Sequence, residues 1–274
     1  MTTTTVQRHT RQPRHRALVR GDLARNAALL VVLWVGYAIA RGITAGDLAT
    51  ATQNARAIID LQQSLGFPSE AALQATLLDN PWLLKAANLY YLGVHFPVTV
   101  GFLAWAWCTN RSKFTRIRNA LILTTSAGLV IHVIYPLKPP RMMDGFIDTA
   151  ALLGPDPYEL GISGGANQLA AMPSLHVGWA LLIALGVIWI GTSTTKWLAL
   201  AHPILTLAVV VLTANHYWVD AIAAAAIVAV AWLFTPARTV FNAQRTNPPS
   251  RWHPTLHHLT VESGLRPGFS AWRR

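Results

Sequence analysis

The sequence predicts an all-α, polytopic membrane bundle of about six transmembrane helices. Of its 274 residues, 53% are hydrophobic and only 12% are charged, a composition typical of membrane proteins. The apolar residues fall into unbroken blocks that are long enough to cross about 30 Å of hydrocarbon as helices. A membrane barrel would instead alternate apolar and polar side chains over segments of about 10 residues.

Six candidate spans follow one another along the chain. They are 26–43, 82–108, 117–137, 172–192, 197–213 and 217–236. The first span also resembles a secretory signal, because an Arg-rich lead and a short apolar run precede Ala38-Ile39-Ala40. The leading segment is long for a signal, so we expect a retained anchor, whereas cleavage would leave five spans.

Two connecting segments have features of their own. Residues 46–79 carry apolar side chains at helical spacing, which predicts interfacial amphipathic helices on the outer surface. Gly66-Phe67-Pro68 interrupts this segment, and Ser69 is the predicted N-cap of a new helix. The loop 138–171 is long enough to fold over a site, with a turn at Gly154-Pro155-Asp156-Pro157.

The basic residues predict the orientation of the bundle. If the N-terminus is cytoplasmic, the two tails and the two inner loops hold 17 of the 22 Lys and Arg residues. This excess predicts an integral membrane protein, in the plasma membrane, whose motif-bearing face points outward. We therefore expect a basic cytoplasmic tail at 1–25, a membrane domain at 26–236 and a second basic cytoplasmic tail at 237–274.

The net charge of +11 could also indicate nucleic-acid binding. However, the basic residues are divided between tails and short loops, and the sequence has no DNA- or RNA-reading motif. We therefore expect no nucleic-acid partner. Arg-rich tails fit anionic inner-leaflet lipid instead, which makes membrane lipids the expected partners.

Three motifs carry the candidate chemistry. Lys138-Pro139-Pro140-Arg141 precedes Pro173-Ser174-Leu175-His176, and His216-Tyr217-Trp218-Val219-Asp220 comes last. The predicted topology brings all three motifs to one membrane face, although each belongs to a different span. Ionisable groups at helix ends inside a bundle are costly, and they indicate a functional site.

The residue types in these motifs suit phosphoryl transfer. His216 can act as a nucleophile on phosphorus, and Asp220 lies one helical turn further, where it can reach the same ring. His176 is then free to protonate the leaving oxygen. Lys138 and Arg141 can stabilise the negative charge on the transferred group.

The motifs resemble those of the type-2 phosphatidic acid phosphatase superfamily, which also includes vanadium haloperoxidases. The exact residues of four segments are closer to the inositol phosphorylceramide synthase-like branch of this superfamily. These segments are Met172-Pro173-Ser174-Leu175-His176, His216-Tyr217-Trp218-Val219-Asp220, Asn88-Leu89-Tyr90-Tyr91 and His95-Phe96-Pro97. The resemblance covers roughly residues 50–236.

This resemblance implies a metal-independent reaction through phosphorylated His216. It implies that Asp220 positions this histidine and that His176 protonates the leaving group. Lys138, Arg141 and Ser174 would hold the phosphate oxygens.

The sequence departs from the superfamily pattern in two places. The two cations of the first motif are usually spaced more widely than Lys138 and Arg141. The third motif usually begins with Ser and Arg, where Val209 and Val210 stand in this chain. One expected phosphate-binding cation is therefore absent.

Structural explanations compete with these assignments. His216 and His176 could be interfacial anchors, and Lys138 and Arg141 could only mark a helix end. Ser174 could be no more than an N-cap, although a cap also directs backbone N–H groups at a bound anion.

His95, within span two, is a further candidate that could approach the site or only satisfy a buried hydrogen bond. The histidines show no metal-ligand spacing, and no Gly-rich nucleotide loop is present, so we expect no metal and no cofactor.

The sequence thus predicts a lipid phosphate phosphatase that acts through a phosphohistidine intermediate. The first alternative is a phosphotransferase that moves a phospho-headgroup, such as inositol phosphate, between lipids. The two share the first half of the reaction and differ in whether water or another hydroxyl attacks the intermediate. The second alternative is a transporter or channel, for which the broken helices and paired repeats expected of such folds are not evident.

Overall fold

The computed structural model describes residues 48–153 and 168–236, together with scattered residues between 24 and 39. Nine helices are labelled in chain order within the two continuous ranges. They are α1 (Leu48–Ser64), α2 (Glu70–Leu78), α3 (Pro81–Gly93), α4 (His95–Thr109), α5 (Arg111–Ile134), α6 (Thr149–Leu153), α7 (Leu175–Ile190), α8 (Ala201–Leu212) and α9 (Trp218–Phe234). Two 3₁₀ segments, Pro140–Met142 and Thr194–Leu200, complete the set.

The described part of the chain is helical and contains no strand, which confirms the all-α prediction. Its nearest approach to a sheet is one isolated parallel bridge between Leu137 and Ala170. Both expected tails lie outside the described residues, as does most of the first predicted span, 26–43.

Polar side chains fix where several helices begin. Ser69 accepts a hydrogen bond from the N–H of Ala72 and starts α2, as the sequence predicts. Asn80 caps α3 in the same way, with Pro81 at the first helical position, where its missing N–H costs nothing. Asn110 caps α5. These caps satisfy backbone donors that a helix leaves free at its start.

Helix α7 lies at the centre of the bundle and packs against α4, α5, α8 and α9. Gly186 of α7 allows this packing, because a Cβ there would overlap the ring of Phe102 on α4. Phe102 and Ile117 fill the space with Ile183 and Ile190 in one apolar cluster. A larger residue at 186 would therefore separate the two helices.

Among the residues that the structure describes, two helical segments meet the length and composition expected of a membrane span, Arg111–Ile134 and Thr194–Leu212. The pair α3 and α4 makes a third if the two helices form one span with a 45° bend. Helices α7 and α9 are apolar but shorter. The helices are compatible with a membrane protein, and a total of six spans remains a prediction.

The two ends of the bundle differ in character. At one end, Lys113 and Arg116 donate hydrogen bonds to the carbonyls of Trp189 and Trp232, near the C-termini of α7 and α9. Basic groups are favourable at helix C-termini, where the backbone carries partial negative charge. The three sequence motifs lie at the opposite end.

The described part of the 138–171 loop is fixed to the helices beneath it. Gln74 of α2 exchanges two hydrogen bonds with the backbone of Ile147, at 2.8 and 2.9 Å. Asn88 of α3 donates to the carbonyl of Thr149 and accepts from its hydroxyl. Paired contacts of this kind hold the loop in one position over the motif end of the bundle.

Candidate active site

His216 lies in the short turn between α8 and α9. Helix α8 ends in a Schellman arrangement, in which the N–H of Ala214 donates to the Val211 carbonyl and the N–H of Asn215 donates to the Val210 carbonyl. Ala214 takes the left-handed conformation, with φ of 54°, that glycine usually supplies in this motif. The N–H of His216 also donates to the Val210 carbonyl, which fixes the backbone beneath the ring.

The His216 ring is held through one of its two nitrogens. Nδ1 lies 2.8 Å from the carbonyl oxygen of Ala171 and 3.3 Å from Oδ2 of Asp220. Both partners are acceptors, so Nδ1 carries the proton and Nε2 keeps its lone pair. A neutral ring held in this tautomer presents Nε2 as a nucleophile.

Burial favours the same neutral form. It lowers the pKa of His216 to about 4; the hydrogen bond to the Ala171 carbonyl opposes this change, and the positive charge of Arg141 adds to it. His216 is therefore unprotonated near neutral pH.

Asp220 reaches His216, but this is not its only contact. The carboxylate is completely buried, and its Oδ2 accepts a 2.9 Å hydrogen bond from the N–H of Tyr217. Its Oδ1 has no hydrogen-bond partner among the described residues. Asp220 thus closes the first turn of α9 and contacts the His216 ring with the same oxygen.

His176 faces His216 across the site. The two ring centroids are 6.1 Å apart, and the ring planes are inclined at 55°. Aromatic contacts hold the His176 ring: Tyr91 stacks on it at 4.4 Å, and His95 lies at 4.7 Å. The ring nitrogens make no hydrogen bond to the described residues, so stacking orients this side chain.

His95 lies beside the site, within α4. It is 3% exposed and stacks on Trp179 at 5.5 Å as well as contacting His176. Its Nδ1 has no hydrogen-bond partner among the described residues. His202 continues the row of rings 6.4 Å further on and shares a 2.8 Å hydrogen bond with the hydroxyl of Tyr90.

Arg141 is buried and held by polar contacts. Its Nε lies 3.2 Å from a carboxylate oxygen of Asp148, and its terminal nitrogens approach the side-chain oxygens of Asn215 and Gln168 at 3.4 and 3.5 Å. Its backbone N–H donates to the carbonyl of Ala214, in the turn before His216. These contacts place the guanidinium next to the nucleophile turn.

The contacts that Lys138 and Ser174 make in this structure hold the backbone of their motifs in place. Lys138 is tied by its backbone, since its N–H donates to Ala51 and its carbonyl accepts from the Tyr217 hydroxyl. Ser174 is fully buried, and its Oγ caps α7 by accepting from the N–H of Val177 at 3.4 Å. The capping expected of Ser174 is therefore present.

Backbone contacts join the three motifs. The N–H of Leu137 donates to Leu169, and the N–H of Ala171 donates to Leu137. The Ala171 carbonyl, placed by this bridge, is the closest partner of His216. The N–H of Ser174 donates to the carbonyl of Asp220 at 3.1 Å. The motif residues therefore meet at one end of an apolar helical bundle.

Within the ranges that the structure describes, no group of three or more His, Cys, Asp or Glu side chains could hold a metal ion. The observed arrangement is a buried pair of histidines with a carboxylate and an arginine. These residues and the apolar helices define a membrane-compatible helical protein with a site suited to a phosphate group.

Comparison with known families assigns the chain more narrowly. Residues 56–234 match the family described as the PAP2 superfamily, and the chain belongs to that superfamily. Membership indicates phosphatase- or phosphotransferase-type activity on a phosphate-bearing substrate. No curated protein and no solved structure shows a significant match to the chain.

The structure also reveals contacts that sequence reasoning missed. The Ala171 carbonyl, the Tyr91 ring and the pairing of Asp148 with Arg141 are among them. Gln62 and Glu70 are two more. Both are buried although they are polar, and nothing in the sequence distinguishes them from the other polar residues of α1 and α2. A buried polar side chain needs a partner.

Proposed function

We propose that this protein is a membrane-embedded, metal-independent lipid phosphatase that acts through phosphorylated His216. The observation that carries the proposal is the His216 ring, whose Nδ1 is engaged by Ala171 and Asp220 and whose Nε2 is left for phosphorus. His176 lies opposite, with its ring centroid 6.1 Å away. This is the arrangement that double displacement at phosphorus requires.

In the first step, the Nε2 lone pair of His216 attacks phosphorus and forms an N–P bond. The bond from phosphorus to the lipid oxygen breaks, and His176, which enters the step as the protonated imidazolium, gives one proton to that oxygen, which leaves as a hydroxyl. Arg141, with Lys138 and Ser174, stabilises the charge on the equatorial oxygens. Asp220 stabilises the positive charge that the His216 ring acquires.

In the second step, His176 is unprotonated and takes a proton from a water molecule as that water attacks phosphorus. The N–P bond breaks, phosphate leaves, and both histidines return to their starting states. The same two side chains, those of His216 and His176, act in both steps. A hydroxyl-bearing lipid in place of water would turn the same intermediate into a transfer product.

The expected substrate is a lipid phosphate, because the site lies at the end of an apolar bundle. Exposed apolar side chains near the motifs, such as Ile134 at 72% and Trp82 at 82%, would contact acyl chains rather than water. Lys113 and Arg116, at the other end of the bundle, support an outward-facing site at the plasma membrane, because the inner ends of membrane helices are enriched in basic residues.

A phosphotransferase is the second candidate. The observation in its favour is the sequence of two segments, Asn88-Leu89-Tyr90-Tyr91 and His95-Phe96-Pro97, which resembles the inositol phosphorylceramide synthase-like branch. In the fold, Asn88 holds the loop and His95 contacts His176.

A screen of purified protein distinguishes the candidates. Lipid phosphates are offered in a chelating buffer, with and without diacylglycerol, ceramide or inositol-bearing lipids. A phosphatase releases phosphate in every case, and acceptors change the products only modestly. Diversion of nearly all turnover into a new phospholipid would favour the transferase. Solute uptake into vesicles without phosphate release would favour a transporter or channel.

A further inference from the structure

The start of α9 carries Asp220 and follows directly on His216. The first four N–H groups of a helix have no partner within it, and here the N-cap residue Tyr217 makes no side-chain cap hydrogen bond to them. Asp220 accepts from the N–H of Tyr217, and the N–H of Asp220 donates to the Tyr217 carbonyl at 3.2 Å. Two donors remain to be satisfied, those of Trp218 and Val219.

Both donors are satisfied by side chains from an earlier part of the chain. The N–H of Trp218 donates to Oε1 of Glu70 at 3.3 Å, and the N–H of Val219 donates to Oε1 of Gln62 at 3.0 Å. Nε2 of Gln62 donates to the same Glu70 oxygen at 2.7 Å. Helices α1 and α2 therefore cap the helix that carries the site.

The burial of this pair indicates a specific role. Gln62 is 3% exposed and Glu70 is 5% exposed, and burial of an amide and a carboxylate is costly unless their hydrogen bonds are made. A third contact acts at the same place, since Nε1 of Trp218 donates to the carbonyl of Pro68 at 2.9 Å. All three contacts converge within three residues of His216.

We propose that Gln62 and Glu70 are positioning residues for the reaction. By fixing the first turn of α9, they hold His216 against the Ala171 carbonyl and keep Asp220 within reach of its ring. A displacement of about 1 Å at such a site can lower the rate on the order of a hundredfold. The kinetic part of this inference rests on the proposed function.

Single substitutions test the pair. Gln62→Leu leaves the N–H of Val219 without a partner, and Glu70→Leu does the same for Trp218. We expect kcat for a short-chain phosphatidic acid to fall on the order of ten- to a hundredfold in each, with KM changed less than about threefold. A role limited to stability would lower the amount of folded enzyme but leave the turnover of each folded molecule unchanged.

The matched controls lie on α1, the helix that carries Gln62. Gln63 and Asp60 are exposed neighbours of the pair, and Gln63→Ala and Asp60→Asn should keep wild-type kcat. Glu70→Gln is the conservative variant, because its amide oxygen can still accept from the N–H of Trp218 and from Nε2 of Gln62. It should keep most of the wild-type kcat, and its difference from Glu70→Leu isolates the hydrogen bonds.

Hydrogen–deuterium exchange gives a readout that needs no turnover. Amides of Trp218 and Val219 should exchange about tenfold faster in Gln62→Leu and Glu70→Leu than in wild type, and Glu70→Gln should keep the protection. The same amides should be protected in the wild type, which covers the case in which a Leu variant fails to fold. If the wild type hydrolyses no lipid phosphate, the proposed function fails, and exchange alone then judges the pair. Unchanged exchange, or wild-type kcat in both Leu variants, would overturn the inference.

Discussion

The replacement of Asp220 by Asn separates two effects that a carboxylate beside a histidine usually combines. The shorter contact of His216 Nδ1 is with the Ala171 carbonyl, at 2.8 Å, and the contact with Asp220 is 3.3 Å. Because the carbonyl alone can hold the proton on Nδ1, Asp220→Asn should keep the reactive tautomer. The Asn oxygen can still accept from the N–H of Tyr217, so the start of α9 should be retained.

The expected loss in Asp220→Asn is therefore electrostatic. One charge-assisted hydrogen bond is removed, which contributes about 1.5–3 kcal/mol. At a factor of ten for each ~1.4 kcal/mol, kcat should fall about ten- to a hundredfold. His216→Ala removes the nucleophile and should fall further, by orders of magnitude.

The assay is phosphate release from a lipid phosphate in detergent micelles, with heat denaturation as the check on folding. Asp60→Asn, at an exposed position on α1, is the matched control and should behave as wild type. Two results would refute the reasoning. One is wild-type kcat in Asp220→Asn, and the other is a loss as deep as that of His216→Ala in a variant that denatures at the wild-type temperature.

Three further predictions follow from stacking, protonation and topology. Tyr91→Phe keeps the ring that stacks on His176 and should retain kcat within about threefold, whereas kcat of Tyr91→Leu should fall about three- to tenfold. Equal rates of the two variants in single-turnover assays would contradict this role of stacking. Because the pKa of His216 is lowered to about 4, an NMR titration of the substrate-free protein should find its ring neutral from pH 7 to 5 and protonated only toward pH 4, and a transition centred on its ordinary value would show a solvated ring. In a variant without the single native cysteine, Asp144→Cys should react with an impermeant thiol reagent from outside, and Thr194→Cys should react only after permeabilisation. The reverse pattern would show that the orientation is opposite to the predicted one.

Protonation of His216 also affects stability, with a definite sign. Its pKa in the folded protein, about 4, lies below the value of about 6.5 for an exposed histidine. The unfolded chain therefore binds more protons between these values, and the free energy of unfolding should decrease as pH falls from 6.5 to 4. Replacement of His216 by Gln should reduce this slope in urea titrations at graded pH. An unchanged slope would contradict the assignment.

Local patterns in the sequence predict much of the helical fold. Blocks of apolar residues correspond to helices α3, α4, α5, α7, α8 and α9, whereas α6 lies in the predicted loop 138–171. The cap at Ser69 is in the predicted place because capping depends only on neighbours three positions away. The motif residues His176, Arg141 and His216 lie together at one end of the bundle. Their spacing in the sequence and the alternation of spans already predict that proximity.

Contacts between distant parts of the chain could not be predicted in the same way. The Ala171 carbonyl reaches His216 through backbone, which leaves no mark on residue type. Gln62 meets Val219 across 157 positions, and a single sequence gives no signal for such a pairing. The apolar spacing within 46–79 therefore predicts only a pair of interfacial helices, whereas the structure also packs Ala55 and Ile58 against Tyr217.

The central claim is that phosphorus becomes bonded to Nε2 of His216, and the most direct test is to trap that intermediate. Wild-type protein is mixed rapidly with a lipid phosphate labelled with ³²P, quenched in base, digested and mapped by mass spectrometry. We expect a base-stable, acid-labile phosphoryl group on His216 that forms faster than phosphate is released and is absent from His216→Ala. Phosphorylation of another residue, or turnover in His216→Ala at the wild-type rate, would contradict it.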